Sequence, residues 1–114
     1  MKVIIAGGRD RWVSDAEIKT AIIESGFDVS EIVCGGAKGI DDCALQYGIK
    51  NGIKTTIFPA EWHIHGDSAG PIRNHEMSLY SDALIVFVGG RGTQNIVNAM
   101  KRLNKPIFDV GVPE

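Results

Sequence analysis

Apolar residues divide the chain into short buried runs separated by stretches of helical length. Val3–Ala6, Ile32–Cys34, Ala83–Val88 and Pro106–Val110 are largely apolar and β-branched, and each is closed by a glycine. Such runs read as strands. Thr55–Phe58 is a fifth, less apolar one. Near-continuous apolarity means that both faces of the sheet are covered, which favours parallel strands over an alternating, half-solvated arrangement.

The intervening stretches carry helix signals. Ser14-Asp15-Ala16-Glu17 is a capping box, in which a hydroxyl and a carboxylate each satisfy a backbone N–H. Ile18, Ala21 and Ile22 follow at helical spacing, and Gly26 is placed to end that helix. A second helix is expected from Ile40 to Lys50, burying Ile40, Ala44 and Tyr47 and stopping near Gly52. A third, from Thr93 to Leu103, turns Ile96, Val97, Met100 and Leu103 inward. A shorter one covers Pro71 to Tyr80, because proline suits a first helical position. Pro59 to Gly70 reads as a long connection that could lie over a site. With right-handed crossovers, this order gives an α/β, doubly wound Rossmann-like fold. Its five-stranded, mainly parallel sheet is expected in the order 3-2-1-4-5. One domain is expected across residues 1–114, a length that buries roughly two thirds of the unfolded surface without a disulfide or metal.

Composition then singles out the loops. Fourteen of the 114 residues are glycine, about 12 % against a usual figure of about 7 %, and they are clustered. Gly7-Gly8-Arg9-Asp10 follows the first strand, and Gly35-Gly36-Ala37-Lys38-Gly39 follows the second. Gly89-Gly90-Arg91-Gly92-Thr93 follows the fourth. Ligands of such sheets bind beyond the carboxyl ends of the strands, where the strand order reverses. Here that point lies between the first and fourth strands, so all three loops converge on one edge. A single Gly-Gly often does no more than end a strand. Three at the switch point fit a phosphate site, because backbone N–H groups and helix N-termini can approach an anion there with no Cβ in the way.

Charge narrows the partners. The net charge is −2, with acids and bases mixed along the chain, so no block of Lys and Arg suggests a duplex-DNA footprint. Cys34 and Cys43 form no Cys-x-x-Cys motif, and neither metal nor cofactor is expected. Met1-Lys2 runs directly into Val3-Ile4-Ile5, too short for a signal-peptide core, and every apolar run falls far below membrane-spanning length. A reduced, cytoplasmic setting with no membrane partner is the expectation.

The loops, together with Gly39-Ile40-Asp41, Pro59-Ala60-Glu61-Trp62, Ala69-Gly70-Pro71-Ile72-Arg73-Asn74, Met77 and Asp82-Ala83-Leu84-Ile85, resemble the SLOG superfamily. This is the family built around bacterial DprA and the LOG-type phosphoribohydrolases. The resemblance covers nearly the whole chain and is nearest to the small, single-domain YspA-like (cpYpsA-related) branch. It implies a nucleotide or nucleotide derivative bound at this edge, and helix-mediated pairing into a homodimer. LOG-type enzymes cleave the N-glycosidic bond of nucleoside monophosphates with the signature Pro-Gly-Gly-x-Gly-Thr-x-x-Glu and an upstream Arg-Lys pair. Here Gly89, Gly90, Gly92 and Thr93 match that signature. Val88 stands at the proline, Ile96 at the catalytic glutamate, and Arg73-Asn74 at the Arg-Lys pair. A positioned carboxylate contributes a factor of about 10²–10⁴ in rate, which isoleucine cannot supply. Either Asp10 or Glu61 has taken over that role, or the protein binds its ligand without cleaving it. The resemblance to DprA also implies single-stranded DNA binding, against which the acidic balance argues.

Other residues carry two readings each. Arg9, Arg73 and Arg91 suit bidentate phosphate contacts, though loop arginines are often simply solvated. Arg73 is expected near a helix start, where the dipole disfavours a cation unless an anion accompanies it. Trp62 either stacks on a base or caps the open end of the sheet. Asp41 opens the second helix as a dipole partner; the resemblance implies contact with a ribose hydroxyl. His63 and His65 would share one face of a strand, but no third metal ligand is evident.

Overall fold

In a computed structural model describing residues 1–111, five strands form one parallel sheet in the order β3-β2-β1-β4-β5. The strands are β1 (Lys2–Ala6), β2 (Glu31–Cys34), β3 (Lys54–Ile57), β4 (Ala83–Phe87) and β5 (Ile107–Gly111). The helices are α1 (Asp15–Ser25), α2 (Ile40–Lys50), α3 (Trp62–His65), α4 (Ala69–Tyr80) and α5 (Arg91–Arg102). The expected strand order and all five strands are therefore observed, and residues 112–114 of the expected domain lie outside the described residues.

Strand periodicity divides the core between two layers. Val3 and Ile5 of β1, with Ile85 and Phe87 of β4, face Ile18 and Ala21 of α1 and Ile40, Ala44 and Tyr47 of α2. The alternate residues Ile4, Ala6, Leu84 and Val86 face Met77 of α4 and Ile96 and Met100 of α5. Both faces of β1 and β4 are thus buried, which accounts for their unbroken apolarity. The predicted α1 start also holds. Glu17 N–H donates to Ser14 Oγ (3.1 Å), Ser14 N–H donates back to Glu17 Oε1 (3.3 Å), and Gly26 closes the helix in the left-handed conformation.

Three expectations are revised. The stretch from Pro59 to Gly70 is mostly helical rather than a loop. The Glu61 carbonyl accepts from the N–H groups of both Ile64 and His65 to start α3, and a 3₁₀ turn at Gly66–Ser68 leads into α4. Helix α4 begins two residues before Pro71. Proline is tolerated there because first-turn N–H groups have no intrahelical acceptor. Helix α5 likewise starts at Arg91, with the Gly90 carbonyl accepting from Gln94 N–H, and Leu103 is an exposed cap residue rather than core. Among the described residues no helix is long and apolar enough to cross a membrane.

At the amino ends of the strands, away from the glycine loops, Glu31 is buried and fully engaged. It accepts hydrogen bonds from the hydroxyls of Thr56 (2.8 Å) and Tyr80 and pairs with Lys54 at 3.4 Å. The Lys2 ammonium lies 4.1 Å from the Tyr80 ring centroid. Burial alone would raise the Glu31 pKa, but the Tyr80 and Thr56 hydroxyls and the Lys54 charge outweigh it and hold the carboxyl below its ordinary value of 4.5. Its stabilising contribution is therefore complete above that value and is lost as pH falls through the lowered native one. Tyr80→Phe should cost about 1–3 kcal/mol of stability at neutral pH, and the difference from wild type should shrink as the carboxylate is protonated. Denaturant unfolding across a pH series measures both; a deficit that does not change with pH would contradict this account.

Candidate functional site

The three glycine loops are joined at one residue, Gly8. Gly8 N–H donates to the Val88 carbonyl (3.0 Å), and the Gly8 carbonyl accepts from Ile40 N–H (3.3 Å). The loop after β1 is thereby tied both to the loop after β4 and to the first turn of α2. Gly39, the N-cap of α2, has a φ of 74°, and a Cβ there would run into the carbonyl oxygens of Gly8, Arg9 and Arg11. A Cβ on Gly89 would meet the Thr93 side chain and the Gly8 nitrogen, and one on Gly35 would meet the Arg73 guanidinium. At these positions the chain's own packing requires glycine.

Gly90 and Gly92 are different. Neither has a positive φ, and a Cβ on either would have no neighbour within 4 Å. No packing contact in the described chain requires glycine at these two places. Both line a cavity of about 300 Å³ with Gly7, Arg91, Thr93, Asp41, Asn74 and Ile96. A second cavity of about 490 Å³ is walled by Gly35, Gly36, Lys38, Pro59, Ala60 and Trp62. Arg9, Asp10, Ala37 and Arg73 line both cavities, so the two are adjacent.

Most residues singled out by sequence gather here. Gly8, Gly89 and Glu61 line neither cavity; the first two act through the backbone, and Glu61 through the carbonyl that starts α3. His63 and His65 are exposed on α3, where residues two apart point to different faces. No group of three His, Cys, Asp or Glu side chains that could hold a metal occurs among the described residues.

Arg73 lies in the second turn of α4 rather than at its start. Its Nη1 donates to the Gly35 carbonyl (2.6 Å) and its Nε to Asn74 Oδ1 (2.9 Å). It thus braces the end of β2 while still lining both cavities. Asn74, 4 % exposed, donates through Nδ2 to the Gly92 carbonyl (3.2 Å) and to Asn95 Oδ1 (2.9 Å). Asn95 had no sequence signal of its own. Its role emerges only because a buried amide such as Asn74 needs a partner for each polar atom. Trp62 is 48 % exposed, with the Arg9 guanidinium carbon 5.9 Å from its ring centroid and its ring edge against Gly70. It stands at the cavity rather than in the core.

The electrostatics are unbalanced in favour of an anion. Arg9, Arg73, Arg91 and Lys38 all line the cavities, and none forms an ion pair among the described residues. The two pairs found there, Lys50–Asp15 and Lys54–Glu31, lie elsewhere. Burial depresses the Arg73 guanidinium's affinity for its proton, Asp41 opposes that, and the charge of Arg9 adds to it. Asp41 is 7 % exposed and accepts a hydrogen bond from Ala37 N–H (3.2 Å). Burial raises its pKa, more than the Ala37 and Gly35 N–H groups and the charges of Arg73 and Arg9 can offset. Cys34, beneath the site, is pushed up to about 11 by burial and then by Asp41, so it remains a neutral thiol.

With the site described, similarity to known proteins can be placed against it. No family model matches the chain. The Gene 61 protein of Mycobacterium phage D29 is 33 % identical over 88 residues, covering 70 % of each chain. This chain belongs to the family of that phage protein. Among solved structures, the Gene 61 family member described here resembles the DNA processing protein A (DprA) of Streptococcus pneumoniae. The TM-score is 0.78 at 19 % identity over 98 % of this chain, which spans 50 % of the DprA chain. It also resembles the TM1055 protein, with a TM-score of 0.69 at 16 % identity over 93 % of this chain and 71 % of that one. These likenesses establish a DprA/LOG-like Rossmannoid fold for the phage family, and no activity.

The raised Asp41 pKa has a consequence for stability. A carboxyl that holds its proton more tightly when folded contributes stability fully below its ordinary value of 3.8, and that contribution is lost as pH rises through the native value. Asp41→Asn should therefore gain on wild type near neutral pH and lose that gain under acid conditions. Thermal unfolding midpoints of the two unliganded proteins across pH provide the measurement, and a constant difference would contradict the assignment.

Proposed function

We propose that this chain binds a nucleotide or nucleotide-derived phosphate ligand at the carboxyl edge of its sheet and serves as a sensor, sequestering protein or adaptor. The observation that carries the proposal is the pair Gly90 and Gly92. These are glycines without a packing need, at the N-terminus of a twelve-residue helix, bordering a cavity with unpaired cations. Backbone kept clear of side chains at such a place suits close approach by an anion. In this reading the α5 start and Thr93 hold phosphate, Arg9, Arg73 and Arg91 neutralise it, and Trp62 covers the base. Gly7, Gly35, Gly36 and Ala37 form the floor, and Asp41 borders the smaller cavity. Asn74 acts indirectly, since its amide is committed to Gly92 and Asn95. The full set of motifs supports placement in the small YspA-like branch of the SLOG superfamily.

A second reading, nucleotide N-glycoside hydrolysis, draws on Asp41. This carboxyl has raised proton affinity and borders the same cavity as Ile96, while Asp10 lines both cavities. Release of free base from a nucleoside monophosphate, lost in Asp41→Asn or Asp10→Asn, is the outcome that would favour it. DNA binding, suggested by the likeness to DprA, draws no support from a chain of net charge −2.

Saturation with the bound nucleotide at a hundred times its Kd should stabilise the protein by about 2.7 kcal/mol, several degrees for a domain of this size. Gly92→Val should shrink the shift given by nucleoside di- and triphosphates while changing the unliganded melting point little, because a Cβ there meets no neighbour within 4 Å. A thermal-shift series of nucleoside mono-, di- and triphosphates tests this. No shift with any nucleotide would sink the proposal, and an unchanged shift in the variant would remove the α5 start from the site.

A further inference from the structure

The junction between the two cavities bears on which nucleotide fits. A nucleoside monophosphate with its base at Trp62 and its phosphate at Gly90–Thr93 would place its ribose at the junction. Ribose hydroxyls call for acceptors and small neutral donors. The junction instead presents the guanidiniums of Arg9 and Arg73, with Asp10 as the acid lining both cavities. Arg73 is half-buried and forms no ion pair among the described residues; burial and Arg9 disfavour its charge, and Asp41, which borders the smaller cavity, opposes them without making up the loss. An anion at the junction would relieve both effects. Planar guanidiniums are also the groups best shaped to grip phosphate.

The cavities differ in character as well. The larger, about 490 Å³, has the exposed indole of Trp62 and the ring of Pro59, and its size suits a nucleoside. The smaller, about 300 Å³, has no aromatic wall; glycine backbone, Thr93 and Arg91 border it. Positive charge thus occurs in the larger cavity (Lys38), at the junction and in the smaller cavity.

We infer that the ligand is a nucleoside carrying at least two linked phosphates. The nucleoside lies against Trp62, the first phosphate lies between Arg9 and Arg73, and the second lies in the glycine-lined smaller cavity. This inference rests on the nucleotide-binding reading above and specifies its ligand class.

Isothermal titration of adenosine and guanosine mono- and diphosphates at fixed ionic strength tests it. For the base that binds, Kd should fall at least tenfold from monophosphate to diphosphate. In Gly92→Val the diphosphate should bind no more tightly than the monophosphate. Arg91→Ala should shrink the step too, and its side chain makes no hydrogen bond or ion pair among the described residues whose loss could unfold the protein. Trp62→Ala should weaken both ligands by the same factor. A tenfold step that survives in Gly92→Val would reflect general charge attraction and would overturn the inference. So would equal affinities in wild type, or equal weakening of both ligands by Gly92→Val, because the first phosphate would then occupy the smaller cavity. In those cases nucleotide binding itself stands. Absence of binding by all four nucleotides to the folded protein would overturn both readings.

Discussion

The backbone of Gly8 is the point on which the rest of the site depends. Its N–H and carbonyl fasten the end of β4 and the start of α2 to the loop after β1. Helices α2 and α5 pack on opposite faces of the sheet, so their N-termini would diverge if the intervening loops were free. One residue bonded through both its N–H and its carbonyl holds the two helix starts in a fixed relation across the strand-order reversal. Contacts this close exclude side chains, which is why Gly39 and Gly89 accompany it. The space beyond is left to backbone and to long side chains arriving from the margins, chiefly Arg9, Arg73 and Trp62.

What could be read from the chain in advance follows the same physics. The strands were legible because β1 and β4 are covered on both faces, and parallel connections of fixed hand leave little freedom in their order. The convergence of the glycine loops followed from that order. The region from Pro59 to Gly70 was not legible, because its short helical turns are held by backbone carbonyls such as those of Glu61 and Trp62 and carry no apolar stripe to advertise them. The links that shape the site, from Arg73 to Gly35 and from Asn74 to Asn95, span 38 and 21 residues. No local pattern encodes such pairs. Nor could sequence separate glycines that packing demands from the two that it does not. In one-letter form Gly89 and Gly90 are the same; only their neighbours distinguish them.

The two buried carboxylates show how the fold divides its tasks. Glu31, at the amino ends of the strands, has a hydroxyl from β3, a hydroxyl from α4 and an ammonium from Lys54, and these overcome its burial. Asp41, at the carboxyl ends, is far more strongly desolvated, and the N–H groups of Ala37 and Gly35 with the charges of Arg73 and Arg9 do not restore its ordinary acidity. The same sheet thus stabilises one carboxylate and strains the other. A fold selected for stability alone would be expected to satisfy both, because an under-partnered buried charge is among the costlier features of a small domain. Local penalties of this kind persist where a binding partner supplies the missing interaction. At this edge the missing interaction has a definite sign. An anion between Arg9 and Arg73 would compensate the cations that Asp41 only partly offsets. The excess positive charge is the part of this arrangement that a phosphate ester, on the proposed reading, would complete.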